Sequence, residues 1–292
     1  MIRGIVLAAV LAITAGPAFA QQPPEPEDRV TVEGRRAEDA VRAFVSEVAA
    51  APKGANLARW DRKVCVGVMN LKTEYAQKLA DEVSLAAVKI GLEPGEPGCR
   101  ANVLILADSE ADALASRLVK DSLKQLEPPD NRDGSLGRSA LRKFEISDAP
   151  VRWWHVSQTV LTDTGKAFKD GKQVTVRGMG RLKKNVRENM VHVLIILDTK
   201  KIGVVSFPSL ADYVSVVALA QIGAEADMHE FPSILNLFSS KAGDRASRMT
   251  QWDLDYLKSL YAVDGNAVSA TLEARRIEQQ MLDLQTKREG EQ

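Results

Sequence analysis

Histidine is scarce in this chain: His155, His192 and His229 are the only three in 292 residues. Each falls in a different predicted element, so no imidazole pair stands at metal-ligand spacing. Gly-x-Ser-x-Gly, the Walker loop and Cys-x-x-Cys are all absent, so there are no sequence grounds for a nucleophile elbow, a phosphate-cradling loop or a dithiol redox motif. Gly178-x-Gly180 lacks a third glycine and runs into Leu182-Lys183-Lys184-Asn185 rather than a helix. It reads as a strand bulge, not a dinucleotide fingerprint, and no cofactor is expected.

Charge imbalance is also missing. Lys and Arg number 39, as do Asp and Glu, so nothing points to nucleic acid or an anionic membrane as partner. Aromatic residues make up 5%, leaving aliphatic side chains to build the core. No apolar run reaches the roughly 18 residues that a membrane-crossing helix needs. The longest, Ile5 to Ala15, follows Arg3 and precedes Ala18-Phe19-Ala20. That is the layout of a secretory signal peptide over residues 1–20, with cleavage after Ala20. The mature chain, one arginine fewer, then carries net charge −1 and is periplasmic or secreted, with no membrane span. In an oxidising compartment Cys65 and Cys99 are expected to form a disulfide, closing a strand–helix–strand unit. The chain-entropy gain is about 3–4 kcal/mol.

Residues 21–36 are rich in proline and charge and read as a linker. Val41, Phe44, Val45 and Val48 recur at helical spacing, predicting a helix over 37–50. Residues 63–69 and 102–107 read as strands. Between them Ala76, Leu79, Val83, Ala87 and Ile90 mark one face of a helix capped by Gly91. A further helix follows Ser109 and Asp112. The polar stretch 127–139 reads as a surface loop, with no helix expected until Ser209. Strands are predicted over 151–161, 173–181 and 190–198, the first two as a hairpin that puts an antiparallel strand in a mixed sheet. Residues 265–292 form a charged helical tail. It is either solvated or docked on the body or a partner through Leu272, Ile277, Met281 and Leu284.

The most informative stretch is Ser209–Tyr261. Ser209-x-x-Asp212 signals a helix start, the helix is expected to stop at Gly223, and Thr250-x-x-Asp253 opens a second helix with Leu257, Leu260 and Tyr261. Between them lies Ser233-Ile234-Leu235. This order resembles the metzincins, particularly the matrixin-like branch, whose zinc helix reads H-E-x-x-H-x-x-G-x-x-H and is followed by a Ser-Ile-Met turn and a closing helix of the type L-T-x-x-D-x-x-x-L-x-x-L-Y. In overall layout the chain also resembles secreted bacterial families of uncharacterised function.

Anchored on Gly223, the resemblance places Val216 and Ala220 at the two histidines, Val217 at the glutamate, Ala226 at the third histidine and Leu235 at the methionine. Aliphatic side chains offer a cation no lone pair, so no metal ligand and no catalytic residue is assigned. The resemblance implies a single zincin-like α+β domain over 37–264, a twisted mixed sheet with backing helices and a C-terminal helical segment. The functional expectation is an exported pseudo-peptidase that binds an extended peptide or an envelope protein, with Trp153 and Trp154 lining a groove. Two alternatives stand beside it. One is an active hydrolase with displaced ligands drawn from His155, His192 and His229 with Glu230; the other is an envelope scaffold working through the C-terminal helix.

Overall fold

A computed structural model describes residues 26–126, 136–167, 181–240 and 246–291. The signal peptide, its cleavage site, most of the polar stretch 127–139 and the strand expected over 173–181 lie outside these residues, Arg181 of that strand excepted. Among the described residues the fold is mixed α+β: seven α-helices and one four-stranded sheet of order β1-β2-β4-β3.

Strands β1 (Val66–Met69), β2 (Val103–Asp108) and β4 (Val186–Asp198) run parallel, and β3 (Val151–Leu161) lies antiparallel on the edge beside β4. Helix α2 (Thr73–Lys89) connects β1 to β2 and ends at Ile90, where Gly91 adopts φ +83°. Leu92 N–H bonds back to Ala87 C=O, the left-handed stop that the sequence predicts. Cys65, just before β1, and Cys99, just before β2, are joined in a disulfide with Cα atoms 6.1 Å apart.

The sheet is covered on both faces along most of β2, β3 and β4. Cross-strand partners share a face, so Val151, Trp153 and His155 lie with Leu197, Ile195 and Val193, against helix α5 (Phe207–Leu219) and the main core. Trp154 and Val156 lie on the other face, in a smaller core with Leu194, Ile196 and two more helices, α3 (Ala111–Leu126) and α4 (Gly137–Ile146). Helix α4 corrects the expectation of no helix before Ser209. Its Leu141 and Phe144 are buried and carry the helical spacing, which the surrounding charge and glycine obscure.

Other boundaries differ as well. Helix α1 covers Pro26–Val48 and so begins inside the stretch expected to be a linker, and β4 begins at Val186 rather than at 190. Beyond helix α6 (Gln251–Ala262), helix α7 (Ala270–Gly290) docks on the body: Ile277 and Met281 are fully buried, and the Arg288 guanidinium forks onto the Asp255 carboxylate at 2.8 and 2.7 Å. At its first turn, buried Glu273 accepts from Arg59 Nη1 and from Leu57 N–H, both at 2.7 Å. An isolated buried carboxylate would be costly, and these partners make the burial tolerable.

Candidate functional site: a cleft along the edge strand

Helix α5 does not run from Ser209 to Gly223. Ser206 is its N-cap, accepting from Ser209 N–H, and Pro208 occupies the first turn, where a missing N–H costs nothing. Asp212 turns instead to the chain ahead of α6, accepting from Arg248 Nε at 2.6 Å and Met249 N–H at 2.8 Å. The helix ends at Leu219, and Ala220 is extended (φ −140°, ψ 157°).

A helix leaves its last four carbonyls without intrahelical donors, and here each finds one. Ala220 N–H donates to Val216 C=O, His155 Nε2 to Val217 C=O at 2.8 Å, Trp60 Nε1 to Ala218 C=O at 2.9 Å and Tyr261 OH to Leu219 C=O at 2.6 Å. With three side chains capping the end, a left-handed glycine is not needed. Gly223 sits further on, its N–H bonded to Val48 C=O.

This geometry decides what the candidate zinc positions can do. Val216, Val217 and Ala220 are fully packed in the main core, and Ala226 is half-buried against it. Because Ala220 has left the helix, positions 216 and 220 do not project from one helical face, as a pair of ligands on one cation must. Among the described residues no three His, Cys, Asp or Glu side chains gather to hold a metal ion. The three histidines stay apart in role. His155 and His192 face opposite sides of the sheet, paired with Val193 and Val156, while His229 Nδ1 contacts the Asp227 carboxylate at 2.7 Å. Burial pushes His155 down to about 4, outweighing the Val217 and Ala220 carbonyls that favour its protonated ring.

The turn that follows keeps its polar framework. Buried Asp253 accepts from Ser233 Oγ at 2.6 Å, Ile234 N–H at 2.9 Å, and both Thr250 N–H and Thr250 Oγ1 at 2.8 Å. Thr250 Oγ1 accepts in return from Asp253 N–H, closing a capping box. Ser233 caps the short 3₁₀ turn Ile234–Asn236, so the Ser233-Ile234-Leu235 segment is clamped to the start of α6.

Trp153 and Trp154 both line one cleft of about 710 Å³, which runs along the outer edge of β3 from Val151 to His155; further along, Ala167 bridges Val160 on that edge. Neither is an open platform: they are 8% and 3% exposed, and their indole N–H groups donate to Ile222 C=O at 3.1 Å and Leu126 C=O at 2.8 Å. The cleft straddles the strand. On one face its wall is α4, with Ala140, Phe144 and Ile146; on the other it is the segment 222–226.

What lies between the walls follows from the register. Asp198 N–H donates to Pro150 C=O, which makes that a hydrogen-bonded pair, and in an antiparallel ladder such pairs recur every second residue. Arg152 and Trp154 therefore turn their main-chain groups to β4. Val151, Trp153 and His155 turn theirs into the cleft. Consistently, Val193, opposite His155, gives its N–H to Asn102 on the β2 side. Among the described residues β3 pairs with β4 alone along this stretch. Arg152, nearly fully buried, braces the strand from beneath through Glu145 C=O and the Asp112 carboxylate. That guanidinium holds Asp112 below the usual carboxylate range.

Sequence reasoning found the tryptophans but missed α4 as a wall and His155 as a helix cap. The spacing of Leu136, Ala140, Leu141 and Phe144 is the signal that would have found the wall. Comparison with protein-family models, with curated proteins and with solved structures finds no match to this chain.

Proposed function

We propose that this protein is an exported, non-catalytic binding protein, a pseudo-peptidase in the metzincin sense, that holds an extended peptide or an unpaired segment of an envelope protein along β3. The observation that carries the reading is the set of main-chain donors and acceptors of Val151, Trp153 and His155, directed into a walled cleft large enough for a strand. Adding a strand to a sheet edge gives affinity through main-chain bonds and specificity through alternate side chains. The filled core at Val216, Val217 and Ala220 supports binding without hydrolysis. The disulfide, with no helix among the described residues long and apolar enough to cross a membrane, is compatible with a periplasmic or secreted location.

The test is a titration of the mature protein with strand-forming peptides, followed by tryptophan fluorescence, with the peptide then weighed by mass spectrometry. Saturable binding with the peptide intact is expected, and binding should weaken when proline replaces a central residue and removes its N–H. Cleavage abolished by a chelator would replace this reading with that of a displaced-ligand hydrolase. No binding to any extended peptide would end it.

A further inference from the structure

The two walls of the β3 cleft differ in chemistry. The α4 wall is apolar where it meets the cleft: Ile146 is 62% exposed there, beside Ala140 and Phe144. An isoleucine this open at the lip of a cleft is surface that a ligand can cover. The opposite wall presents small residues, Gly223, Ala224 and Ala226, and two carboxylates, Glu47 and Glu225. Glu225 already attracts a cation: Lys143 Nζ reaches across from α4 to its Oε2 at 2.6 Å, with both side chains mostly exposed.

A strand laid on β3 continues the sheet, so its side chains alternate between the same two faces. Every second residue meets Ile146 and Phe144, and the residues between meet Glu47 and Glu225. We propose that the ligand of this cleft is an amphipathic strand in which apolar residues alternate with polar, preferentially basic, ones. The inference rests on the extended-peptide reading above and adds what the peptide must look like. Neither an evenly apolar nor an evenly polar segment satisfies both walls, and a basic residue can take the place of Lys143 on Glu225 at little cost, because the Lys143 ammonium is mostly exposed and returns to water.

The experiment compares two peptides of identical composition, one alternating valine with lysine and threonine, the other with its valines contiguous. The alternating peptide should bind more tightly by about tenfold, the effect of seating roughly one extra apolar side chain. Ile146→Asp, on an exposed position, should bring that ratio close to one. Glu225→Lys should reverse the preference for lysine over glutamate at the polar positions. Equal binding of the two peptides to the unaltered protein overturns the alternation inference while leaving the extended-peptide reading in place. Failure of both peptides to bind overturns the two together. Concentration-dependent self-association that Ile146→Asp abolishes would give the cleft to a second copy of the chain and overturn the assignment as well.

Discussion

Helix α5 and the described residues that follow it, 231–240 and α6, pack together in one core, yet they use their polar groups differently. Every residue of α5 from Ser209 to Leu219 is buried, and most of them are aliphatic. A helix this apolar belongs to the interior; its polar bonds to other segments lie at its two ends and at Asp212, which holds Arg248 and Met249, and aliphatic packing fills the rest. The neighbouring segment is organised by one carboxylate, Asp253, which gathers the 3₁₀ turn and the start of α6 through four hydrogen bonds. The contrast separates framework from chemistry. The turn and the start of α6 are tied together by protein donors and acceptors, with Ile234, Tyr256, Leu257 and Leu260 packed in the core behind them.

The sharpest way to break the comparison is to remove its polar half. Asp253→Ala strands Ser233 Oγ, Ile234 N–H and the Thr250 cap. With buried unpaired groups costing about 1–3 kcal/mol each, the loss should be about 3 kcal/mol or more in urea denaturation. A loss under 1 kcal/mol would mean that packing holds this segment too.

Acid probes the end of α5. His155 titrates near 4 in the fold and near 6.5 in an unfolded chain, so between those values the unfolded state binds the extra proton. Its contribution is therefore complete above about pH 6.5 and lost as pH falls through about 4, a change of about 3 kcal/mol. His155→Gln, which retains an N–H donor for Val217, should flatten that part of the stability–pH curve. An unchanged slope would take His155 out of the account.

A smaller effect is expected where the apolar half is asked to become polar. Val216→His with Ala220→His should destabilise by about 1–3 kcal/mol through overpacking and bind no zinc at stoichiometry, because Ala220 is already extended. Tight zinc binding by this variant would show that the helix end can rewind.

Much of the fold was legible in the sequence where periodicity and capping agree. The α2 helix with Gly91, the buried run of β2, the disulfide and the Thr250–Asp253 box all follow local rules, whereas the antiparallel pairing of β3 with β4 does not come from the hairpin expected with 173–181. Gly223 has the local look of a helix stop, whereas the end of α5 is set by Trp60, His155 and Tyr261, which are distant in sequence. The same holds for the cleft. Trp153 and Trp154 were recognisable as candidate lining, but both are buried and bonded, and the groups offered to a ligand are main-chain atoms with no residue signature. Helix α4 was hidden because its apolar stripe is short, and Ile146 becomes meaningful only once it stands at the lip of the cleft.

The central claim, that the outer edge of β3 from Val151 to His155 receives an extended peptide, is tested most directly by amide hydrogen exchange with and without a strand-forming peptide. The N–H groups of Val151, Trp153 and His155 should gain protection on binding while those of Arg152 and Trp154, already bonded to β4, change little. Binding that leaves Val151, Trp153 and His155 exchanging at their free rates would contradict it.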